Sequence, residues 1–435
     1  MKDHRRLTPR TDHLLADPRI EAAARRLGAT ITKREIAAAQ DRCRAGDLEP
    51  EDVTEAVLAG LPATATTMRP VINATGVVVH TNFGRAPLSS AAVDALQVAA
   101  GTTDVEFDLD SGGRGQRGRG AMAALAEAVP AAGAVHVVNN GAAALALAAR
   151  ALAADRRVVV ARGEMVEIGD GFRIPELLES VGAVIREVGT TNRVRLDDYA
   201  KAIDDETGFV LKVHPSNFVV EGFTSSVLLA ELATLPVPVV ADIGSGLLTP
   251  HPRLPDEPNA SASLRAGAAL VTASGDKLLG GPQCGLLLGK ADVVQRLRRH
   301  PFARAVRVDK LTLAALEATL TGPPPPVVRA VDAQPDELLH RARVICRRLD
   351  DITDARPVPS TAAVGGGGAP GVDLGSAAVS LPPEMAAQLR SGEPAVVGHV
   401  VQGRLLLDLV AVPAEYDGVL IDAVRRVVKE REVLT

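Results

Sequence analysis

Tryptophan is absent from the 435 residues, and there are only two tyrosines and seven phenylalanines. Any core must therefore be built from aliphatic side chains. Three cysteines, Cys43, Cys284 and Cys346, are too few and too scattered for a disulfide framework or a zinc site. No stretch approaches the roughly 20 uncharged apolar residues of a membrane span. Met1-Lys2-Asp3-His4-Arg5-Arg6 has no apolar run behind it, so no signal peptide is expected. A strong excess of one charge is lacking too: the net is −5, which does not advertise nucleic-acid binding. Lysine is scarce, with 8 among the 48 basic residues, which leaves 40 arginines. A membrane protein, a disulfide-rich secreted domain and a disordered chain are thereby excluded. The 46% hydrophobic content suffices for a sizeable core. The expectation is a cytoplasmic, soluble α/β enzyme of two or three domains, at roughly 150 residues per domain.

Net charge hides a local excess. Residues 1–44 carry eleven Lys or Arg against six Asp or Glu, a surplus of five. An acidic enzyme can hold RNA through one such basic surface. Apolar residues recur at helical spacing over Ile20–Leu27 and Val53–Leu58, punctuated by Gly28, Gly46 and Gly60-Leu61-Pro62. Residues 1–68 are thus expected to form a small helical domain.

Beyond that point, short β-branched runs alternate with alanine-rich stretches. Strands are expected at Ala134–Val138, Arg157–Ala161, Ala183–Glu187, Phe209–Val213, Val237–Ala241, Leu270–Ala273 and Gly285–Leu288. Helices such as Ala142–Ala153, Ile174–Ser180 and Leu196–Ala202 lie between them. The alternation predicts a mostly parallel sheet over residues 69–322, with its site at the carboxyl ends of the strands. The Gly322–Pro326 break opens a small α+β domain, 323–435. Its expected elements are a helix at Pro335–Leu349, the Gly365–Gly368 loop, strands at Ala395–Val400 and Leu405–Leu409, and a helix at Tyr416–Glu432.

Three segments carry chemistry. In Ser274-Gly275-Asp276-Lys277-Leu278-Leu279-Gly280-Gly281-Pro282-Gln283, a rare lysine follows an apolar strand. Burial lowers a lysine pKa and makes the amine a nucleophile for a carbonyl; the alternative is a snorkelling lysine at a strand end. Asp242 ends the buried run Val239-Val240-Ala241. There it either caps a turn or holds the protonated ring nitrogen of pyridoxal phosphate (PLP). Asn139-Asn140-Gly141-Ala142 joins a strand to an alanine-rich helix, as an ordinary Asn cap or as a phosphate turn. Ser274 is placed to add a hydroxyl to the same phosphate. A phosphate turn, an aspartate about 100 residues on and a lysine 35 later follow the layout of fold-type-I, aspartate aminotransferase-like PLP enzymes. That order favours the joint reading over three coincidences.

Longer stretches carry a family resemblance. They are Ile72–Leu88, containing Asn73-Ala74-Thr75-Gly76 and His80-Thr81-Asn82-Phe83-Gly84-Arg85; Arg162–Pro175; Glu187-Val188-Gly189-Thr190-Thr191-Asn192-Arg193; and Ser274–Gln283. Together they resemble the bacterial selenocysteine synthases, L-seryl-tRNA(Sec) selenium transferases, from about Pro70 to Leu320, with an echo at Arg404–Leu409. The resemblance implies PLP on Lys277, an aminoacrylate formed from L-seryl-tRNA(Sec), and selenophosphate as the selenium donor. It implies cofactor contacts at Asp242, Asn140, Gly141, Ala142, Ser274 and His214, and an anion site at Arg85, Arg304 and Arg307. Arginine suits such an anion because its planar fork bonds two oxygens at once. The resemblance also implies a homo-oligomer, a ring of five dimers, with residues 1–68 holding the tRNA; Arg25, Arg26, Lys33, Arg34, Arg42 and Arg44 are candidates to contact its phosphates, the alternative being a solvated helical face with Glu35 and Asp41 interleaved. Three features depart from the family pattern: Asn140-Gly141 replaces a run of asparagines, His214-Pro215-Ser216-Asn217-Phe218 has Pro and Phe in place of Thr and Tyr, and Gly112–Gly120 is unusually rich in glycine. In that glycine-rich loop, Arg117 is a further candidate to face the site. Relatives with the same core act as lyases on small phosphorylated amino sugars; the helical segment ahead of the core argues for the tRNA substrate.

Overall fold

The computed structural model describes residues 4–165, 167–169 and 171–434; Val166 and Asp170, both within one of the resemblance motifs, lie outside the described residues. The chain divides into two compact units, 1–70 and 71–435.

The first unit is a cluster of helices, chiefly Thr11–Leu15, Pro18–Leu27, Ala29–Ala45 and Val53–Gly60. Asp17 starts one of them by accepting the Arg19 N–H, with Pro18 at the first helical position. Leu14, Ile20, Ile36, Ala39, Cys43, Val53 and Val57 interlock as its core. On its surface Arg25 pairs with Glu21, Arg34 with Glu35 and Arg44 with Asp41, while Arg26 bonds the Ala63 carbonyl. Lys33 and Arg42 are exposed.

The second unit is organised by a seven-stranded sheet. In chain order its strands are β1 (Ala134–Val138), β2 (Arg157–Ala161), β3 (Val184–Val188), β4 (Thr207–Val213), β5 (Val239–Gly244), β6 (Leu270–Ser274) and β7 (Gly285–Gly289). Their spatial order is β1-β7-β6-β5-β4-β2-β3, all parallel except β7. Val158, Val159 and Val160 are buried on both faces, as befits an interior strand covered by helices. The Gly141–Leu152 helix is buried from Ala143 to Ala149, because its small side chains let it lie close on the sheet.

A second, five-stranded sheet runs His399–Val401, Arg404–Asp408, Asp373–Leu381, Arg356–Gly365 and Val77–Val79. The Pro335–Arg347 and Asp417–Leu434 helices pack on it through Leu338, Ala342, Ile345, Leu420 and Val424. Two features differ from the sequence expectation. The run Ala395–Val400 is not one strand: Ala395–Val397 pairs with Val71–Asn73, and His399–Val401 pairs with Arg404–Asp408. The long hairpin of Arg356–Gly365 and Asp373–Leu381 was not anticipated at all. The strand Val77–Val79 joins that hairpin in parallel, so the segment leading to Arg85 is held by the C-terminal sheet. Among the described residues, no helix is long and apolar enough to cross a membrane.

Candidate active site

The carboxyl ends of β1, β4, β5 and β6 enclose a cavity of about 320 Å³. Asn140, Gly141, Ala142, His214, Asp242, Ser274, Lys277 and Arg85 all line it, brought together from four strand ends and the 80–86 loop.

Lys277 lies three residues past β6. Burial holds its amine below the ordinary lysine range; the nearby Asp242, Asp276 and Glu257 pull the other way, and Arg85 adds to the lowering. Asp242 sits near the end of β5, where burial raises its carboxyl above the ordinary aspartate range. The Thr272 hydroxyl donates to Asp242 Oδ1 at 2.9 Å, which opposes that rise and fixes the carboxylate plane. Both groups are thus biased by burial toward their neutral forms.

The turn after β1 is a cup. Asn140 caps the following helix, its Oδ1 accepting the Ala143 N–H at 2.8 Å. Its side chain is therefore engaged in capping, and the free amides are those of the first helical residues, Gly141 and Ala142. A Cβ on Gly141 would stand 2.5 Å from Ser274 Oγ, so only glycine admits the hydroxyl at that distance. These two amides and this hydroxyl make a small anion cradle at a helix N-terminus.

Arg85 has a left-handed backbone, φ +66°, and reaches across to Asp276, with Nη1 donating to Oδ2 at 2.9 Å. The Ala86 N–H donates to the Asp276 carbonyl at 3.2 Å, which fastens the 80–86 loop to the lysine segment. Arg304 and Arg307 do not line this cavity; both are exposed. Arg307 forms a backbone bridge with Val138, and the Asn139 N–H donates to the Val306 carbonyl at 3.0 Å, so this segment flanks the cup. Arg117 is mostly buried and donates to the Val308 carbonyl at 3.0 Å, which makes it an anchor of the same segment rather than a cavity residue.

Sequence reasoning missed two carboxylates. Glu164 is buried, pairs with Lys212 at 2.5 Å and accepts the Val213 N–H at 2.9 Å. It borders a neighbouring cavity of about 400 Å³ that shares Val213, His214 and Asp242 with the first and is lined by Thr190, Thr191, Asn192 and Arg193. Glu257 lies 3.2 Å from His214 Nε2. Glu164 lies within the Arg162–Pro175 stretch but was given no role there, and Glu257 was signalled by neither periodicity nor motif.

The residues fit PLP on their own geometry. The Gly141–Ser274 cradle suits its phosphate, Asp242 its ring nitrogen and Lys277 its aldehyde. Comparison with known proteins decides the family. The family model for L-seryl-tRNA selenium transferase matches residues 71–413, and that for the selenocysteine synthase N terminal matches residues 5–44. The chain belongs to the L-seryl-tRNA selenium transferase family. The Geobacter sulfurreducens L-seryl-tRNA(Sec) selenium transferase is 43% identical over 401 residues, covering 84% of this chain and 86% of that protein. The one from Carboxydothermus hydrogenoformans is 39% identical over 438 residues, covering 93% of each. Among solved structures, D-glucosaminate-6-phosphate ammonia-lyase superposes with a TM-score of 0.59 at 16% identity, covering 83% of this chain and 96% of that one. At that identity the likeness is one of fold, and the fold is that of the fold-type-I PLP enzymes.

Proposed function

We propose that the protein converts L-seryl-tRNA(Sec) to L-selenocysteinyl-tRNA(Sec), with PLP held on Lys277 and selenophosphate as the selenium donor. The observation that carries this reading is the meeting of Lys277, Asp242 and the Gly141–Ser274 cradle in one cavity of a selenium-transferase chain. Overall, the serine hydroxyl is exchanged for a selenol, and the phosphoryl group of the donor leaves as phosphate.

Bound PLP supplies an electron sink that loosens the serine Cα–H bond and lets the β-hydroxyl depart. This chain's residues do the rest. The Lys277 amine, biased toward its neutral form by burial, takes the Cα proton. The Asp242 carboxylate, oriented by Thr272, accepts the ring N–H. The Gly141 and Ala142 amides and the Ser274 hydroxyl hold the cofactor's phosphate. Arg85, fixed by Asp276, holds the donor's anionic oxygens beside Lys277. Arg304 and Arg307 complete that anion site. Their exposure fits a site shared with a second copy of the chain, in the ring of five dimers that the family resemblance implies. The helical unit of residues 1–68 holds the tRNA, and such a substrate places the reaction in the cytoplasm.

Incubation of the purified, PLP-loaded protein with selenophosphate and seryl-tRNA(Sec) labelled in the serine tests the proposal. Selenocysteine released from the tRNA on mild alkaline hydrolysis supports it. Unchanged serine, together with ammonia release from phosphorylated amino sugars, would replace it with a lyase sharing the fold.

A further inference from the structure

The proposed chemistry leaves Glu257, buried beside His214, without a task. The Glu257 side chain is 1% exposed. Its Oε2 lies 3.2 Å from His214 Nε2 and accepts the Ala369 N–H at 2.7 Å, while Oε1 is buried with no hydrogen-bond partner. Burying a carboxylate with one oxygen unsatisfied is costly. Such a group persists where the bonds it does make hold something in place.

Its two partners come from opposite walls. His214 follows β4 of the large sheet. Ala369 lies just past the Gly365–Gly368 run, in the 366–372 connection between the two strands of the C-terminal hairpin. That loop rests on the reactive lysine: a Cβ on Gly367 would stand 2.7 Å from Lys277 Nζ and 3.1 Å from Cε. Gly367 has φ +92°, a backbone that strains any side chain. Ala369 itself is left-handed, at φ +46°, a conformation unfavourable for a non-glycine residue that therefore needs an anchor. The bond to Glu257 is that anchor.

We propose that Glu257 is a positioning residue with two simultaneous tasks. It orients the His214 imidazole by accepting its Nε2–H, and it clamps the Gly365–Ala369 loop onto Lys277. The C-terminal domain thereby becomes a wall of the cofactor site. A histidine held at one nitrogen by a carboxylate has its tautomer and ring plane fixed. This inference rests on the PLP reading only for the purpose the clamp serves; the clamp itself is a property of the chain.

The experiment is hydrogen exchange, read by mass spectrometry on full-length Glu257→Ala, Glu257→Gln and wild-type protein, without cofactor and after PLP loading. Glu257→Ala is expected to speed exchange in the 365–372 peptide about tenfold or more without cofactor, with β4–β6 peptides unchanged. PLP dissociation from the loaded variant should quicken by a similar factor. Glu257→Gln keeps an oxygen to accept the Ala369 N–H and should stay near wild type in the loop. A loop as protected in Glu257→Ala as in wild type overturns the proposal. So does faster exchange across the whole unit, which would make Glu257 a general stabiliser, and so does a Gln variant as loose as the Ala one. Should Glu257→Ala not fold, His214→Ala replaces it: PLP release should quicken while the loop stays protected, and a loosened loop contradicts the two separate bonds. Wild-type protein that takes up no PLP sinks the functional reading and leaves the exchange result standing.

Discussion

Arg85 Nη1 donates to Asp276 Oδ2 at 2.9 Å, which sets a guanidinium one residue from the lysine that is to bear the cofactor. Asp276 is nearly buried, so the pair is shielded from water on one side. Arg85 and burial both lower the Lys277 pKa, and Asp276 raises it. Arg85→Gln removes a lowering influence and leaves Asp276 unopposed, so the Lys277 amine gains a proton more readily. Cofactor uptake at neutral pH should slow by up to about tenfold, the equivalent of about 1.4 kcal/mol. The deficit should shrink as pH rises. Stopped-flow measurement of PLP binding to cofactor-free protein across pH checks this; a uniform loss at every pH contradicts it.

The cradle makes a paired prediction. Gly141→Ala drives a methyl to within 2.5 Å of Ser274 Oγ and should weaken PLP binding tenfold or more. Adding Ser274→Ala removes that oxygen, and the next atom, Ser274 Cβ, stands at 3.7 Å. The double variant should recover the melting temperature lost in Gly141→Ala but not full PLP affinity, because the hydroxyl is gone. A double-mutant cycle by calorimetry reads both quantities.

Asp242 trades stability for chemistry. Its native pKa is raised by burial, so the folded state favours the protonated form. The sign follows: its contribution is fully present below the ordinary carboxylate range and is lost as pH rises through the raised native value. At neutral pH that raised value is a cost to the folded, cofactor-free protein. Asp242→Asn, which still accepts from Thr272, should stabilise that form by up to about 2 kcal/mol. The gain should vanish in acid, and activity should be lost. Thermal unfolding of both proteins at acidic and neutral pH decides it.

On the helical unit, Lys33 and Arg42 are exposed, whereas Arg25 is paired with Glu21. Lys33→Ala and Arg42→Ala should each weaken tRNA binding and flatten the plot of log K against log salt by about 0.9. Arg25→Ala should do less, because its charge is already balanced. Filter binding between low and moderate salt separates the three.

Much of this site was legible because its chemistry sits on strand ends. β-branched runs place β1–β7 to within three residues at either end, and Lys277, Asp242 and the Asn140 turn follow at once. What escaped did so for physical reasons. The strand Arg356–Gly365 contains Pro357 and Pro359, which argue against a strand. They are tolerated because residues 356–362 have a neighbour on one side only. Glu257 lies in a proline-flanked loop, Pro255-Asp256-Glu257-Pro258, where no period exists to read. Asp408, within the echo motif, proved to be a buried knot accepting from Ser360, Ser376 and the Val410 N–H. A stretch read as family resemblance is there a device of the fold.

The central claim is that Lys277 carries a cofactor that meets a charged tRNA. The most direct measurement is a titration of the PLP-loaded protein, watching its visible absorbance, with seryl-tRNA(Sec) in one arm and phosphorylated amino sugars in the other. Lys277→Ala serves as the blank. The account predicts a spectral shift with the charged tRNA alone, and none in the blank. A shift with the sugars alone would contradict the selenium-transferase reading while leaving the fold and Lys277 in place.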